Sequence, residues 1–90
     1  MSRQVRVAKV LGALAGLPPG TKMCSEENLL DNLKLQGVMK VVNENEPDMV
    51  TLTEAGSKLS GLYFAMHTSE VLKALVERGL MSYPNVQQRR

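Results

Sequence analysis

Ninety residues with a 43% apolar share fit one small globular domain, near the lower limit for a self-sufficient core, and argue against disorder along most of the chain. One cysteine, Cys24, and one histidine, His67, exclude an internal disulfide and a Cys/His metal cluster, and they suit a reducing, cytoplasmic setting. The net charge of +2 is unevenly divided, with +4 over residues 1–24, −5 over 25–56 and +3 over 57–90, so the ends are basic and the middle is acidic.

From Gln4 to Ala15 the apolar positions Val7, Val10, Leu11, Leu14 and Ala15 recur at helical spacing and predict a helix over 4–16. Val5-Arg6-Val7 alternates, which also admits an extended first turn. Pro18 and Pro19 end the helix near Gly16. Basic residues followed by small apolar ones resemble a signal peptide, but Lys9 breaks the run and the folded reading is preferred. No stretch approaches the ~20 apolar residues that span a bilayer. Thr21-Lys22-Met23 reads as a connector or a single strand.

Ser25 is a good N-cap, and Glu26 and Glu27 in the following turn suit the positive end of a helix dipole. Leu29, Leu30 and Leu33 form the buried stripe of a helix over 25–36, and Gly37 takes the left-handed position beyond its end. Val38-Met39-Lys40-Val41-Val42 and Met49-Val50-Thr51-Leu52 are two β-prone runs separated by Asn43-Glu44-Asn45-Glu46-Pro47-Asp48. They predict a hairpin with strands at 38–42 and 49–53.

Thr53 caps the next helix, over 54–67, whose stripe is Ala55, Leu59, Leu62, Tyr63 and Met66. Ser69 can cap a last helix over 69–78 that buries Val71, Leu72, Leu75 and Val76, with Gly79 as its stop and Leu80 as hydrophobic partner; a continuous kinked helix is the alternative. Residues 82–90 read as a polar basic tail, and no internal repeat or low-complexity tract is evident. The expected core is Leu11, Leu14, Leu29, Leu30, Leu33, Val41, Leu52, Leu59, Leu62, Met66, Leu72 and Leu75.

The order helix, glycine, hairpin, capped helix, with the phrase Val50-Thr51-Leu52-Thr53-Glu54-Ala55-Gly56, resembles winged-helix regulators of the MarR and PadR types over residues 25–62. The resemblance implies a mainly α small single domain with one β-hairpin, winged-helix-like over 1–81, and a role in transcription control by DNA binding. Relatives of this kind commonly dimerise through helices outside the wing, which implies a homodimer through residues 69–80.

Chemistry finds little support. His67 reads as a partly exposed helix-terminal residue, Cys24 as a small half-buried one, and the six methionines as core filler. Cys24 precedes a helix N-terminus, which could lower its thiol pKa. No phosphate-binding loop, dinucleotide glycine pattern or zinc spacing occurs, so no enzyme, cofactor, metal or small-molecule substrate is expected. Phosphate contacts would come from Arg3, Arg6, Lys9, Lys22, Lys34, Arg89 and Arg90. Against DNA stand Glu26, Glu27 and Asp31 on the helix in the recognition position, and Glu44, Glu46 and Asp48 on the wing. Those three wing acids favour the second hypothesis, a protein–protein interaction module that does not read DNA through its wing, while the resemblance keeps the DNA-binding regulator narrowly ahead as the first reading.

Overall fold

Val5 and Val7 are buried while Gln4 and Arg6 are exposed, so the first segment is a strand, β1 (Gln4–Val7), and not a helical turn. The helix predicted over 4–16 contracts to α1 (Lys9–Leu14). Val5 lies off the apolar stripe of such a helix, whereas period-two alternation lets both β-branched valines reach the core. The computed structural model describes residues 3–18, 23–62 and 64–84. After α1 come β2 (Met23–Ser25), α2 (Glu26–Leu35), β3 (Met39–Asn43), β4 (Glu46–Leu52), α3 (Glu54–Ser60), β5 (Met66–His67), α4 (Thr68–Glu77) and β6 (Met81–Ser82).

The strands form two three-stranded antiparallel sheets, ordered β2-β1-β6 and β3-β4-β5. The fold is therefore mixed α/β, which corrects the expectation of a mainly α, winged-helix-like domain with a single hairpin. Besides β1, the strands β2, β5 and β6, too brief to show a period in the sequence, make the difference.

The chain is also built from two equivalent halves, against the expectation of no internal repeat. Both run β-α-β-α-β, residues 4–43 and 46–82, and their registers correspond. Gln4 and Val5 face Ser25 and Cys24; Met49 and Val50 face His67 and Met66. Arg6 and Val7 face Ser82 and Met81; Thr51 and Leu52 face Lys40 and Met39. Each half gives its third strand to the other's sheet, so the relation is a pseudo-two-fold. The amide of Ala8 donates to Leu80 O at 2.9 Å, and the matching amide of Thr53 donates to Val38 O at 2.9 Å. Gly37 and Gly79 hold matching left-handed conformations, φ 74° and 72°, and are followed by matching bonds from Val38 N to Leu33 O and from Leu80 N to Leu75 O. Burial repeats as well: Val5 with Val50, Leu33 with Leu75 and Met39 with Met81 all lie in one core.

Ser25 caps α2, accepting from Asn28 N at 3.0 Å, and Thr53 caps α3, as the sequence indicates. Other boundaries move. The helix predicted over 54–67 stops at Ser60, because Gly61 turns left-handed (φ 75°) and the Ser60 hydroxyl takes the amide of Leu62 at 3.2 Å. Met66 still reaches the core, from a strand. The last helix begins at Thr68 with His67 as its cap in place of Ser69: His67 Nδ1 accepts from Ser69 N at 3.2 Å, and Glu70 Oε1 accepts from His67 N at 3.3 Å. The pairing also runs past its expected limit, since β6 extends to Ser82, where a tail was expected to begin.

Of the expected core, Leu11, Leu29, Leu33, Leu52, Met66, Leu72 and Leu75 are buried, and Leu14, Leu30, Leu59 and Leu62 are half-buried against them. Val41 is not core: it sits on the edge strand β3 where the hairpin leaves the body, and is 36% exposed. Val71, Leu72 and Leu75, which suggested a dimer through 69–80, are covered by the chain itself; Val76 remains exposed on α4. No described helix is long and apolar enough to cross a membrane.

Candidate interaction surfaces

Three surfaces stand out, two of them at equivalent ends of the pseudo-dyad. At the first, Arg3 and Tyr83 come together on Glu26. Arg3 reaches Glu26 Oε2 through Nη2 at 3.0 Å and Nε at 3.2 Å. Its guanidinium carbon lies 4.2 Å from the centre of the Tyr83 ring, and the Tyr83 hydroxyl donates to the same Glu26 oxygen at 2.7 Å. The carboxylate raises the Arg3 pKa; burial, followed by the Glu26 bond, raises that of Tyr83. Pro84 follows directly and lacks a backbone donor.

At the second end the positions of Arg3 and Tyr83 hold exposed Asp48 and Val41, and that of Glu26 holds the buried Thr68. The β3–β4 hairpin turns through Glu44 and Asn45, with Asn43 Oδ1 accepting from Asn45 N at 2.9 Å, and β3 carries an irregularity between Val41 and Asn43. Residues 41–48 are all exposed, Val42 by 54%. Asp48, which corresponds to Arg3, lies 4.0 Å from His67 Nε2; Glu44 and Glu46 have no basic partner among the described residues. The predicted wing thus exists as a hairpin, but its polar loop is shorter than the sequence suggests, since Glu46, Pro47 and Asp48 belong to β4. Pro47 sits at the beginning of that strand, where its missing donor is tolerated.

The third surface is a groove of about 510 Å³ between α1, α3 and the end of α4, lined by Val10, Leu14, Ala55 and Leu59 together with Leu80, Lys58 and Arg78. Val10 is 61% exposed, so the groove is open to solvent.

The candidate phosphate-binding cations do not come together as a set. Arg3 is committed to Glu26; Arg6 projects from β1, Lys9 from the start of α1 and Lys34 from the last turn of α2. Lys22, Arg89 and Arg90 lie outside the described residues. The acids Glu44, Glu46 and Asp48 do gather on one hairpin. Sequence reasoning missed the groove and the Arg3–Glu26–Tyr83 cluster, because both join segments that only the exchanged third strands bring together. Cys24 is half-buried on β2 and its pKa is raised by burial, not lowered by the helix it precedes. His67 serves as a helix cap, and no group of three His, Cys, Asp or Glu residues suited to a metal occurs among the described residues.

No protein-family model matches the chain, and neither a curated protein nor a solved structure matches it.

Proposed function

We propose that this chain is a non-enzymatic interaction module that associates with a basic surface of another polypeptide through its β3–β4 hairpin. The observation that carries this reading is the exposure of Val41 and Val42 beside Glu44, Glu46 and Asp48 on an edge strand left uncovered at one end of a two-fold body. Proteins ordinarily cover, charge or interrupt such edges, and apolar edge positions next to like charges suit a partner that supplies the opposite sign. Duplex DNA is the competing partner. Its phosphates would face the three carboxylates gathered on the hairpin.

Fluorescence anisotropy separates the two. A labelled duplex should bind weakly to the wild type at low salt. It should bind more tightly to the Glu44→Gln, Glu46→Gln, Asp48→Asn variant, because repulsion is removed. A labelled peptide of alternating lysine and valine should associate more slowly with that variant and at higher salt. Tight duplex binding by the wild type that collapses in the variant overturns the reading.

A further inference from the structure

We propose that the groove between α1 and α3 receives the β3–β4 hairpin of a second copy of this chain. This rests on the hairpin reading above and names its partner. The two surfaces are complementary in both respects that matter for association. The hairpin presents exposed Val41 and Val42 next to Glu44, Glu46 and Asp48. The groove presents Val10, Leu14 and Leu59 next to Lys58 and Arg78, neither of which makes an ion pair among the described residues. Glu54 and Glu77, on the same helices, form no ion pair with them among the described residues.

The repeat shows how the groove gained its charge. Val10 and Leu14 of the first half correspond to Ala55 and Leu59 of the second, so the apolar lining is shared across the pseudo-dyad. The cations are not shared. Lys58 corresponds to Ala13 and Arg78 to Gln36. Each glycine after the shorter helix lies beneath one of the latter pair: a Cβ at Gly16 would strike the Gln36 amide, and one at Gly61 would strike the Arg78 guanidinium. The same packing therefore holds a neutral amide in one half and a cation over the groove in the other. Both departures from the repeat place positive charge on this one apolar surface, and the hairpin is where the chain gathers negative charge.

One copy uses its hairpin on a neighbour and offers its own groove. The contact is therefore heterologous, and it closes as a reciprocal pair or continues head to tail according to its rotation.

Sedimentation velocity on the full chain, from 10 µM to 1 mM at two salt concentrations, provides the test, with circular dichroism confirming that each variant is folded. The wild type should associate with rising concentration, and less at high salt. Glu44→Lys with Glu46→Lys makes the hairpin basic; Lys58→Glu with Arg78→Glu makes the groove acidic. Each double variant should be monomeric alone, and an equimolar mixture should associate again, because opposite charges then meet in both directions. Arg78→Gln, which installs the residue of the other half, should weaken association about tenfold while leaving the fold intact. A wild type that stays monomeric at 1 mM, double variants that still associate alone, or a mixture that does not recover each overturns the proposal. A monomeric wild type leaves the hairpin open to other polypeptides; only the duplex result described above removes the hairpin reading itself.

Discussion

The two ends of the pseudo-dyad are the same architecture finished in two ways. Where β1 meets β6, Arg3, Glu26 and Tyr83 tie the edge down; where β4 meets β3, the corresponding positions hold Asp48, Thr68 and Val41, and the strands run on into an exposed hairpin. Inside, the halves hardly differ, because Val5 and Val50, or Leu33 and Leu75, fill equivalent places at almost no exposure. These core positions thus retain the repeat, while the two ends depart from it in charge and in cover. Packing density constrains the interior to one solution, whereas solvent tolerates many.

If the halves share one core, truncation should cost the same in each. Leu33→Ala and Leu75→Ala should each lose ~2–5 kcal/mol in chemical denaturation, within about 1 kcal/mol of one another. Val41→Ala, on the open hairpin, should lose less than about 0.5 kcal/mol. A costly Val41→Ala, or a tolerated Leu75→Ala, breaks the division between shared core and divergent surface.

The glycines sharpen it next. Gly37 and Gly61 are both left-handed, at φ 74° and 75°, so Gly37→Ala and Gly61→Ala should each cost ~1–2 kcal/mol in strain. They differ in what lies above them: open space at Gly37 and the Arg78 guanidinium at Gly61. Only Gly61→Ala should also weaken self-association in sedimentation, because it displaces the cation from the groove. Equal effects on association would show that Arg78 does not act there.

The parts legible in the sequence were those with a local signal. Ser25, Thr53, Gly37 and Gly79 mark helix ends by chemistry that reaches no further than four residues, and α2 and the hairpin follow from them. What escaped was non-local. β5 and β6 are two residues each, too short for a period, and exist because β4 and β1 offer them edges. The repeat escaped for a related reason: equivalent positions such as Leu11 and Gly56, both buried, or Val10 and Ala55, both exposed, keep their burial class but not their identity. The acids of the candidate site were readable from the chain; the groove that complements them was not, since Val10 and Leu59 meet only in the fold.

The helix caps differ between halves in chemistry while doing one job. Ser25 caps α2 through its hydroxyl, and His67 caps α4 through Nδ1, with Glu70 completing the box. Ser25→Ala and His67→Ala should each cost ~1 kcal/mol in urea denaturation. His67→Asn, which retains a short acceptor, should recover most of the second loss. If it recovers none, the ring's contribution is its proximity to Asp48 and not the cap.

The smallest effect belongs to the closed end, and it appears only in alkali. Tyr83 ionises near pH 10.0 when unperturbed, and in the folded chain that value is raised, first by burial and then by the Glu26 carboxylate that accepts its proton. Above pH 10 the unfolded chain therefore gives up the Tyr83 proton while the folded chain still holds it, so unfolding is favoured as pH rises. The stabilisation from this phenol is complete below pH 10 and is lost as pH climbs through the raised value. Tyr83→Phe removes the titrating group and, with it, a constant hydrogen-bond contribution at neutral pH. Urea midpoints measured at pH 8, 9, 10 and 11 should fall more steeply for the wild type than for Tyr83→Phe, with the divergence beginning near pH 10. Every other group is common to both proteins, so the difference isolates Tyr83. Because Tyr83 is only half-buried, the divergence should be modest, and parallel curves would mean that solvent screens the Glu26 contact that closes this end.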